Sequence, residues 1–314
     1  MCSKPTRWGI WLHAVRPASE LAELAAAAEA LGAAAMLVAD EGTDRDLFVT
    51  LAALAHRTRR ALLFGAVTNP HSRHPVATAA AFASLAELAP GRIVAGFGAG
   101  GSRVLGPMGL SPGRPFTALA ECVDVVERLW RGETVDHLGE FSAHGAALPW
   151  SAGPLPIAIA GRGSRVERLA AERADWILLA GRPIQAVAPL VRRLRSLRTH
   201  PAAIAWNPNA AWTEAMQREM RAHLAYMMVD MPANDRAAAA ANPQAILERY
   251  AVVGERHAVV ARLAELVQQV QPELLLFDAD DYSVAFLESA AAVAMDAGVM
   301  SADNWGAYGV DSYR

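Results

Sequence analysis

The sequence predicts an α/β fold, a (β/α)8 TIM barrel that forms a single domain with insertions at the C-terminal face of its strands. Apolar runs of strand length alternate with segments of helical periodicity from one end of the chain to the other. The strand runs are almost continuously hydrophobic, which is typical of parallel strands covered on both faces. With 314 residues, 53% of them hydrophobic, the chain can bury a core of barrel size. A doubly wound open sheet is the structural alternative, because alternation alone does not distinguish a closed sheet from an open one.

Eight apolar runs are predicted to form the barrel strands. They cover residues 8–14, 35–40, 62–68, 93–98, 156–161, 176–180, 203–206 and 274–278. Helical segments fill the intervals, at residues 19–31, 47–57, 76–88, 116–131, 164–174, 184–197, 212–270 and 284–297. Each strand is therefore followed by a helix, and eight such pairs close a barrel.

Two segments interrupt this alternation. Residues 134–148, which include Gly139 and Gly145, have the pattern of a small hairpin. Residues 208–243 form an Ala-rich, mostly helical insertion. Insertions of this kind usually shape the pocket of a barrel, and we expect residues 1–314 to form one domain.

The composition excludes several classes of partner. The net charge is −3 with an isoelectric point near 6.3, and no Lys/Arg-rich block is present, so we expect no nucleic-acid partner. No segment approaches the roughly 18 consecutive apolar residues of a membrane helix, and the N-terminus lacks a signal-peptide pattern, so we expect no membrane association. The two cysteines, Cys2 and Cys122, cannot build a disulfide framework, which fits a cytoplasmic protein. Lys4 is the only lysine, which argues against Schiff-base chemistry.

The second predicted strand ends in two adjacent carboxylates, Asp40 and Glu41. Catalytic groups of a barrel lie at the carboxyl ends of its strands, so this pair is expected to face the barrel mouth. Asp46 is placed to cap the next helix, whereas Asp40 and Glu41 lie too far upstream for that role. In a dry mouth either carboxyl would have a raised pKa and could serve as a general acid.

The third strand leaves the barrel through a dense polar segment that extends from Thr68 to Pro75. It contains one Asn, two Pro, two His and one Arg, an unusual density for a simple connector. His71 or His74 can cap the helix that starts near Pro75, so neither histidine is assigned a catalytic role.

Glycine-rich segments follow the fourth and fifth strands. Residues 96–101 formally match G-x-G-x-x-G, but we reject a dinucleotide fingerprint because prolines and glycines are expected to keep the chain irregular until Phe116. The glycines instead suit close backbone approach to an anion. After the fifth strand, the N–H groups of the next helix, with Ser164 as its N-cap, offer a phosphate site at the same rim.

Other chemistries lack support in the sequence. The nine histidines include no H-x-H on the first strand and no H-E-x-x-H, and His13 stands alone there, so no metal site is expected. G-x-S-x-G is absent, which leaves acyl transfer unsupported. An apolar pocket is expected from aromatic residues on or beside strand ends, about half of which are expected to belong to the core. These residues are Trp11, Phe97, Trp206 and Phe277.

In order and spacing, motifs across about residues 8–280 resemble the luciferase-like monooxygenase family. They are Ala39-Asp40, Arg45-Asp46, Val67-Thr68-Asn69-Pro70, Arg73-His74-Pro75, Gly91-Arg92, Gly98-Ala99-Gly100, Gly139-Glu140-Phe141 and Val253-Gly254-Glu255. Within the family, the V-T-N-P…R-H-P stretch most resembles the branch of methylenetetrahydromethanopterin reductase, whose members use coenzyme F420. This cofactor is a deazaflavin that carries hydride but does not activate oxygen.

The resemblance implies how such a cofactor is held. It implies a non-prolyl cis peptide at Gly65-Ala66 behind the ring, Thr68 and Asn69 near the ring and ribityl chain, and glycine-rich backbone around the phosphate. The implied cofactor-binding residues are Gly65, Ala66, Val67, Thr68, Asn69, Gly98, Ala99, Gly100, Gly101, Ala160, Gly161, Arg162, Gly163 and Ser164.

The resemblance also implies a catalytic role for Asp40 and Glu41. Relatives often carry Asp-His at this point, so Glu41 has to replace the histidine as proton donor or the role is lost. A sugar-phosphate dehydrogenase relative has an acidic residue just after its strand-four glycines, where this chain has Gly101. Because a lysine-lined phosphate pocket is also missing, a sugar phosphate is not the expected substrate.

The leading hypothesis is an F420-dependent oxidoreductase that moves a hydride between the deazaflavin and a small organic substrate. An FMN-dependent monooxygenase of the same fold is the first alternative, because the pockets for the two cofactors overlap. A cofactor-binding protein without catalytic activity is the second, because of the departures at Glu41 and Gly101. An apolar helix pair on the barrel exterior would permit a homodimer.

Overall fold

The computed structural model describes residues 5–197, 202–227, 233–279 and 282–300. Its strands in these ranges are β1 (Arg7–Leu12), β2 (Ala35–Val38), β3 (Leu62–Thr68), β4 (Ile93–Phe97), β5 (Val135–Leu138), β6 (Ser142–Ala146), β7 (Ile157–Ala160), β8 (Trp176–Leu179), β9 (Ala203–Trp206), β10 (Ala210–Ala211), β11 (Val252–Val253) and β12 (Leu274–Asp278). Eight of them form a closed parallel barrel in the order β1-β12-β9-β8-β7-β4-β3-β2. The predicted (β/α)8 barrel is confirmed, and the open sheet is excluded.

Helices cover the outside of the barrel and build its insertions. In the described ranges they are α1 (Ala18–Ala30), α2 (Leu47–Arg57), α3 (Pro75–Leu88), α4 (Ser102–Leu105), α5 (Pro115–Trp130), α6 (Ser164–Arg173), α7 (Ile184–Ser196), α8 (Glu214–Met227), α9 (Ala233–Ala241), α10 (Pro243–Tyr250), α11 (Arg256–Val270) and α12 (Val284–Asp296). Among these helices, none combines the length and the apolar character needed to cross a membrane.

Side chains of the barrel strands alternate between two packed layers. On β3, Leu62, Phe64 and Ala66 point into the barrel interior, whereas Leu63 belongs to the layer beneath the helices. Inside the barrel, the rings of Phe64 and Trp176 meet edge to face with their centroids 5.2 Å apart. The interior is therefore filled by side chains, and open space is left to the strand ends.

All eight predicted barrel strands are present. Three of them, β3, β9 and β12, have the predicted bounds, and the other five end one or two residues earlier than predicted. The residues predicted in excess include His13 and Asp40, which lie beyond the last paired residue of their strands and line a cavity. The strand lengths were overestimated because apolar residues, such as Ala14 and Ala39, continue past the last paired residue of each strand.

The predicted helical stretch 212–270 is divided in the structure. It contains four separate helices, and β11 interrupts it to pair in parallel with β10, with Ala210 opposite Val252. Asn242 starts α10 by accepting a hydrogen bond of 3.1 Å from the N–H of Ala245. The insertion therefore reaches beyond its predicted end at residue 243, to β11. Residues 228–232 of the predicted stretch lie outside the described ranges.

The predicted hairpin at residues 134–148 is confirmed by the antiparallel pair β5 and β6. Glu121 of α5 holds it by accepting the N–H of Glu140 at 2.8 Å, and His137 Nε2 lies 3.1 Å from the same carboxylate. A Cβ at Gly139 would lie 2.4 Å from Glu121 Oε2, so the close approach requires glycine. His74 Nε2, 2.9 Å from the carbonyl oxygen of Ser142, connects the hairpin to the β3 exit.

The helix starts confirm two capping predictions and correct one. Asp46 Oδ1 accepts the N–H groups of Phe48 and Val49, each at 2.9 Å, and His74 Nδ1 accepts that of Val76 at 3.2 Å. Ser164 was predicted to be the N-cap of α6, but it is the first helical residue and Gly163, with φ of 95°, is the N-cap. The turn into α6 needs a positive φ, which glycine adopts without strain.

A short helix corrects the expectation of irregular chain up to Phe116. The single turn α4 begins directly after Gly101, and a 3-10 turn at Gly106–Met108 follows it. Pro107 lies in the first turn of that 3-10 segment, where its missing N–H costs no hydrogen bond. The dinucleotide fingerprint is excluded by the closed barrel and not by the lack of a helix after its third glycine.

Candidate active site

A cavity of about 480 Å3 opens at the carboxyl ends of the barrel strands. It brings together all the sequence-predicted site residues except Gly65, Gly163 and Ser164. The predicted residues that line it are Asp40, Glu41, Ala66, Val67, Thr68, Asn69, Gly98, Ala99, Gly100, Gly101, Ala160, Gly161 and Arg162. Residues from four separate strand exits thus converge on one space of the size typical for small-molecule sites.

The exit of β3 contains a bulge and a non-prolyl cis peptide. Gly65 pairs with Ala95 and Thr68 with Phe97, so β3 has one residue more than β4 over this interval. The cis bond joins Ala66 and Val67, and the predicted position at Gly65-Ala66 was wrong by one residue. Gly65 is required for a different reason, because its Cβ would lie 2.7 Å from Phe82 Cζ beneath α3.

Asn69 organises the loop that follows this bulge. Its Oδ1 accepts the N–H groups of His71 at 3.0 Å and Ser72 at 2.9 Å, and its Nδ2 donates to Ser72 Oγ at 2.9 Å. The residue is buried, at 3% exposure. Asn69 therefore fixes the floor of the cavity next to Thr68 before any ligand arrives.

The backbone at the β4 and β7 exits fits an anionic group. Gly100 has φ of 79°, and a Cβ there would lie 2.9 Å from Leu105 Cδ1; at Gly98 it would lie 2.8 Å from Val67 Cγ2. Helix α6 begins at Ser164, and its N-cap, Gly163, supplies no side-chain hydrogen bond, so the N–H groups of its first turn lie uncapped at the rim beside Gly161. This donor set suits a phosphate-bearing cofactor.

The Gly161 turn is fixed by an arginine from the neighbouring strand exit. Arg182 Nη2 donates to the Gly161 carbonyl at 2.5 Å, and its Nη1 donates to Glu167 Oε1 at 2.9 Å. Arg193 also pairs with Glu167. The β7 exit is thus held in place by charged side chains that lie behind the cavity wall.

Asp40 and Glu41 lie side by side at the cavity edge, as predicted. Burial raises the pKa of the Asp40 carboxyl above its ordinary value, while the Thr68 hydroxyl and the backbone N–H of Gly42 favour the charged form. The negative charges of Asp46 and Glu41 act in the same direction as burial. Asp40 therefore keeps a proton at a higher pH than a solvated aspartate does.

Sequence reasoning missed a polar group on the opposite side of β1. Asp278, the last residue of β12, is 8% exposed and accepts a hydrogen bond of 3.0 Å from Asn207 Nδ2. His13 Nε2 lies 3.9 Å from Asp278 Oδ1. The signal was present, because Asp278 ends a predicted strand and His13 lies inside another. A reading of the last residue of every predicted strand would have found Asp278 but not His13.

The insertion contributes His223 of α8 to the same group. Its ring centroid lies 5.5 Å from that of His13, with the ring planes tilted by 59°. Burial lowers the pKa of His223; the negative charge of Asp278 opposes this effect, and the charges of His13 and Arg103 add to it. His223 is therefore a neutral neighbour of His13 at physiological pH.

Asn209 links the cavity wall to the insertion. Its N–H donates to Asn207 Oδ1 at 2.8 Å, and its Nδ2 donates to the carbonyl oxygen of Tyr250 at 3.0 Å. Both asparagines are buried, and both line the cavity. The position of α10 is thus coupled to the position of polar groups at the site.

Of the four aromatic residues expected near the pocket, more belong to the core than the half that was expected. Trp11 lines the cavity, whereas Phe97, Trp206 and Phe277 are buried in the layer beneath the helices. Within the described ranges there is no group of three or more His, Cys, Asp or Glu residues placed to hold a metal ion.

The family model described as luciferase-like monooxygenase matches residues 2–271. A 5,10-methylenetetrahydromethanopterin reductase of Archaeoglobus fulgidus is 34% identical over 143 residues, which are 45% of this chain and 43% of that protein. An F420-dependent glucose-6-phosphate dehydrogenase of Nakamurella multipartita is 36% identical over 193 residues, 57% of each chain. The chain thus spans about half the length of the curated relatives it matches.

A solved structure has the same fold. The coenzyme F420 dependent tetrahydromethanopterin reductase from Methanopyrus kandleri superposes with a TM-score of 0.78 at 18% identity. The superposition covers 91% of this chain and 97% of that chain, so the likeness extends over most of both chains.

Proposed function

Because the chain belongs to the luciferase-like monooxygenase family, we propose that it is an oxidoreductase that transfers a hydride between coenzyme F420 and a small organic substrate. The observation that carries the proposal is the convergence of the β2, β3, β4 and β7 exits on one cavity of about 480 Å3. A relative named for F420 dependence, at 36% identity, supports the choice of cofactor.

The cavity residues divide into two proposed roles toward the cofactor. Residues 66–69, with the bulge and the buried Asn69, would hold the ring and the ribityl chain. Residues 98–101 and 160–162 would hold the phosphate through backbone N–H groups, and the N-terminus of α6, at residues 163 and 164 behind them, would add its dipole. When bound, the deazaflavin supplies a hydride carrier that does not activate oxygen.

Asp40 and Glu41 are the proposed proton-exchanging groups on the β2 side. A hydride transfer to a carbonyl has to be accompanied by a proton, and a buried carboxyl with a raised pKa can donate one. Glu41, next to it on the cavity edge, takes the same role if Asp40 stays charged. If Glu41→Gln leaves turnover unchanged, Glu41 does not have this role.

The experiment that tests the function is a titration of the purified protein with oxidised F420 and, separately, with FMN. Saturable F420 binding with no FMN binding supports the proposal. FMN binding with oxygen uptake would instead favour a monooxygenase, the activity that the family model is named for. Cofactor binding without any hydride transfer would indicate a binding protein that lacks catalytic activity.

We also propose a cytoplasmic location and a homodimer. The location rests on cysteine usage, since Cys122 is a free and buried thiol and the chain has one other cysteine, Cys2. The homodimer rests on apolar side chains left at helix surfaces, among them Val49 of α2 at 63% exposure and Leu88 of α3 at 61%. Light scattering after gel filtration measures the mass and separates one chain from two.

A further inference from the structure

A second acid–base group borders the cavity, on the strands next to Asp40 and Glu41. In the barrel β1 lies between β2 and β12, so their exits are neighbours. Trp11 of β1 pairs with Asp278 of β12, and His13 follows two residues later. Both His13 and Asp278 line the cavity. The site therefore has a carboxyl pair on one side of β1 and a histidine–carboxylate pair on the other.

Asp278 is positioned by the protein itself. One carboxylate oxygen, Oδ2, accepts from Asn207 at 3.0 Å, and the other, Oδ1, is the oxygen nearest His13 at 3.9 Å. Asn207 is in turn fixed by the N–H of Asn209. The amide therefore holds one oxygen of the buried carboxylate and leaves the other oxygen on the side of the imidazole.

The backbone of His13 is fixed by a hydrogen bond, and its ring is partly exposed to the cavity. The Tyr282 hydroxyl donates to the His13 carbonyl oxygen at 3.0 Å, and the His13 side chain remains 25% exposed where it faces the cavity. The titratable groups around the ring are Asp278 and His223, and the charges of Glu41 and Arg103 also act on His223. Of these groups, Asp278 lies nearest as an opposite charge.

We propose that His13 is a further catalytic residue that exchanges a proton with the substrate, whose reacting group is a hydroxyl oxidised to a carbonyl, or the reverse. The inference rests on the proposed function. In the oxidation direction the C–H bond breaks and its hydrogen leaves with both electrons to the deazaflavin. The O–H bond breaks, its proton goes to the imidazole of His13, and the C=O bond forms. Asp278 is a positioning residue that stabilises the resulting imidazolium ion.

The presence of this base selects the substrate class. Hydride loss from a carbon that bears nitrogen gives an iminium ion and needs no proton acceptor, whereas hydride loss from a carbinol requires one. A buried carboxylate placed behind a cavity-facing histidine is the arrangement that carbinol oxidation needs. Asp40 and Glu41, at the next strand exit, would receive the proton in turn on its way to solvent.

The first test is an NMR measurement of histidine side chains in the protein without cofactor, with the His13 signals assigned through His13→Gln. Asp278→Asn is expected to shift the His13 ring signals, since it removes the carboxylate that lies 3.9 Å from the ring nitrogen. Asp278→Glu keeps the carboxylate and is expected to shift these signals less, and Asp296→Asn, at an exposed position, is the matched control that should leave them unchanged. His13 ring signals that Asp278→Asn leaves unchanged would overturn the pairing.

The second test uses 2-propanol and a panel of larger secondary alcohols with F420-loaded protein. His13→Gln is expected to lower kcat by about 100-fold or more and to leave the F420 dissociation constant within about twofold. Asp278→Asn should shift the pH profile of kcat, which a merely structural role would not do. Unchanged turnover in His13→Gln, or F420 binding without oxidation of any alcohol, contradicts the inference. A wild-type protein that fails to bind F420 contradicts the proposed function, but it does not affect the NMR result on His13 and Asp278, which is obtained without cofactor.

Discussion

The Tyr250 hydroxyl donates a hydrogen bond of 2.5 Å to Asp235 Oδ2, and both side chains are buried. Asp235 belongs to α9 and Tyr250 to α10, while Arg249 Nη2 lies 3.2 Å from the other oxygen of the same carboxylate. The carbonyl of Tyr250 is bonded to Asn209 of the cavity wall. This contact therefore joins two helices of the insertion, α9 and α10, to each other and, through one backbone oxygen, to the site.

Tyr250→Phe is expected to lower the free energy of unfolding by about 1–3 kcal/mol, because a buried carboxylate loses a donor. Burial, together with the hydrogen bond to Asp235 and its charge, raises the pKa of Tyr250 to about 12. The hydroxyl's contribution is thus complete below the unfolded tyrosine pKa of about 10 and is lost as the pH rises toward about 12. Urea unfolding at pH 8 and pH 11 checks this. Equal pH dependence in both proteins would contradict it.

Asp40→Asn is expected to stabilise the protein at neutral pH while lowering turnover by about 100-fold. The folded-state pKa of Asp40 is raised, so the charged form is disfavoured in the folded protein and stability is lost as the pH rises through that pKa. Asparagine has no charge to bury, so the variant does not lose this stability. In thermal unfolding from pH 4 to pH 8, the Tm of the variant should rise relative to that of the wild type as the pH rises. A variant that is equally destabilised at every pH would point to a structural role for Asp40.

Gly100→Ala is expected to weaken F420 binding by about tenfold or more, since its φ of 79° disfavours a side chain and the added Cβ would press on Leu105 at the cavity wall. Gly109 is a matched control. It has φ of 68° but nothing within 4 Å of an added Cβ, and it does not line the cavity. Gly109→Ala should cost a similar amount of stability and leave binding unchanged. Equal loss of F420 affinity in both variants would show that backbone strain away from the cavity, and not the added Cβ at the cavity wall, weakens binding.

Glu29→Gln is expected to lower the free energy of unfolding by about 1–3 kcal/mol. The buried carboxylate accepts three backbone N–H groups, from Arg59, Arg60 and Ala61, in the turn before β3. Burial acts to raise the pKa of Glu29, but these donors outweigh it and hold the pKa below its ordinary value. The contribution is therefore present above the unfolded pKa and is lost as the pH falls through the lower folded value.

Acid unfolding of the wild type and Glu29→Gln measures this effect. The variant should lack the wild-type loss of stability below about pH 4. Glu87→Gln, at an exposed position of α3, is the control and should change stability by less than about 0.5 kcal/mol. If the exposed substitution reproduces the effect, the turn before β3 is not its source.

The barrel could be predicted from the sequence because each of its strands is buried on both faces. The run at Leu62–Thr68 has a hydrophobic length that equals its paired length, and its bounds were predicted correctly. The first strand was predicted to reach residue 14, but β1 ends at Leu12, before His13. Side-chain hydrophobicity does not indicate the residue at which backbone pairing between strands stops.

The site was predictable where one strand exit carries its own motif and less so where it is assembled from several. Asp40, Asn69 and Gly100 lie in local motifs and were found at the cavity. His13 and Asp278 are separated by more than 260 residues and become neighbours only through closure of the barrel between its first and last strands. No local pattern contains that information.

The parallel pair β10 and β11 fixes both ends of the insertion at the barrel rim, with Ala210 opposite Val252. Because its two ends are paired with each other, the insertion is an exchangeable segment, here called the cassette. Its sequence can change while β10 and β11 keep their register. His223 lies inside this cassette and faces the cavity, whereas the residues proposed to hold the cofactor belong to the barrel. The side chains that the insertion presents to the cavity can therefore change, by descent or by grafting, without disturbing the barrel residues proposed to hold the cofactor.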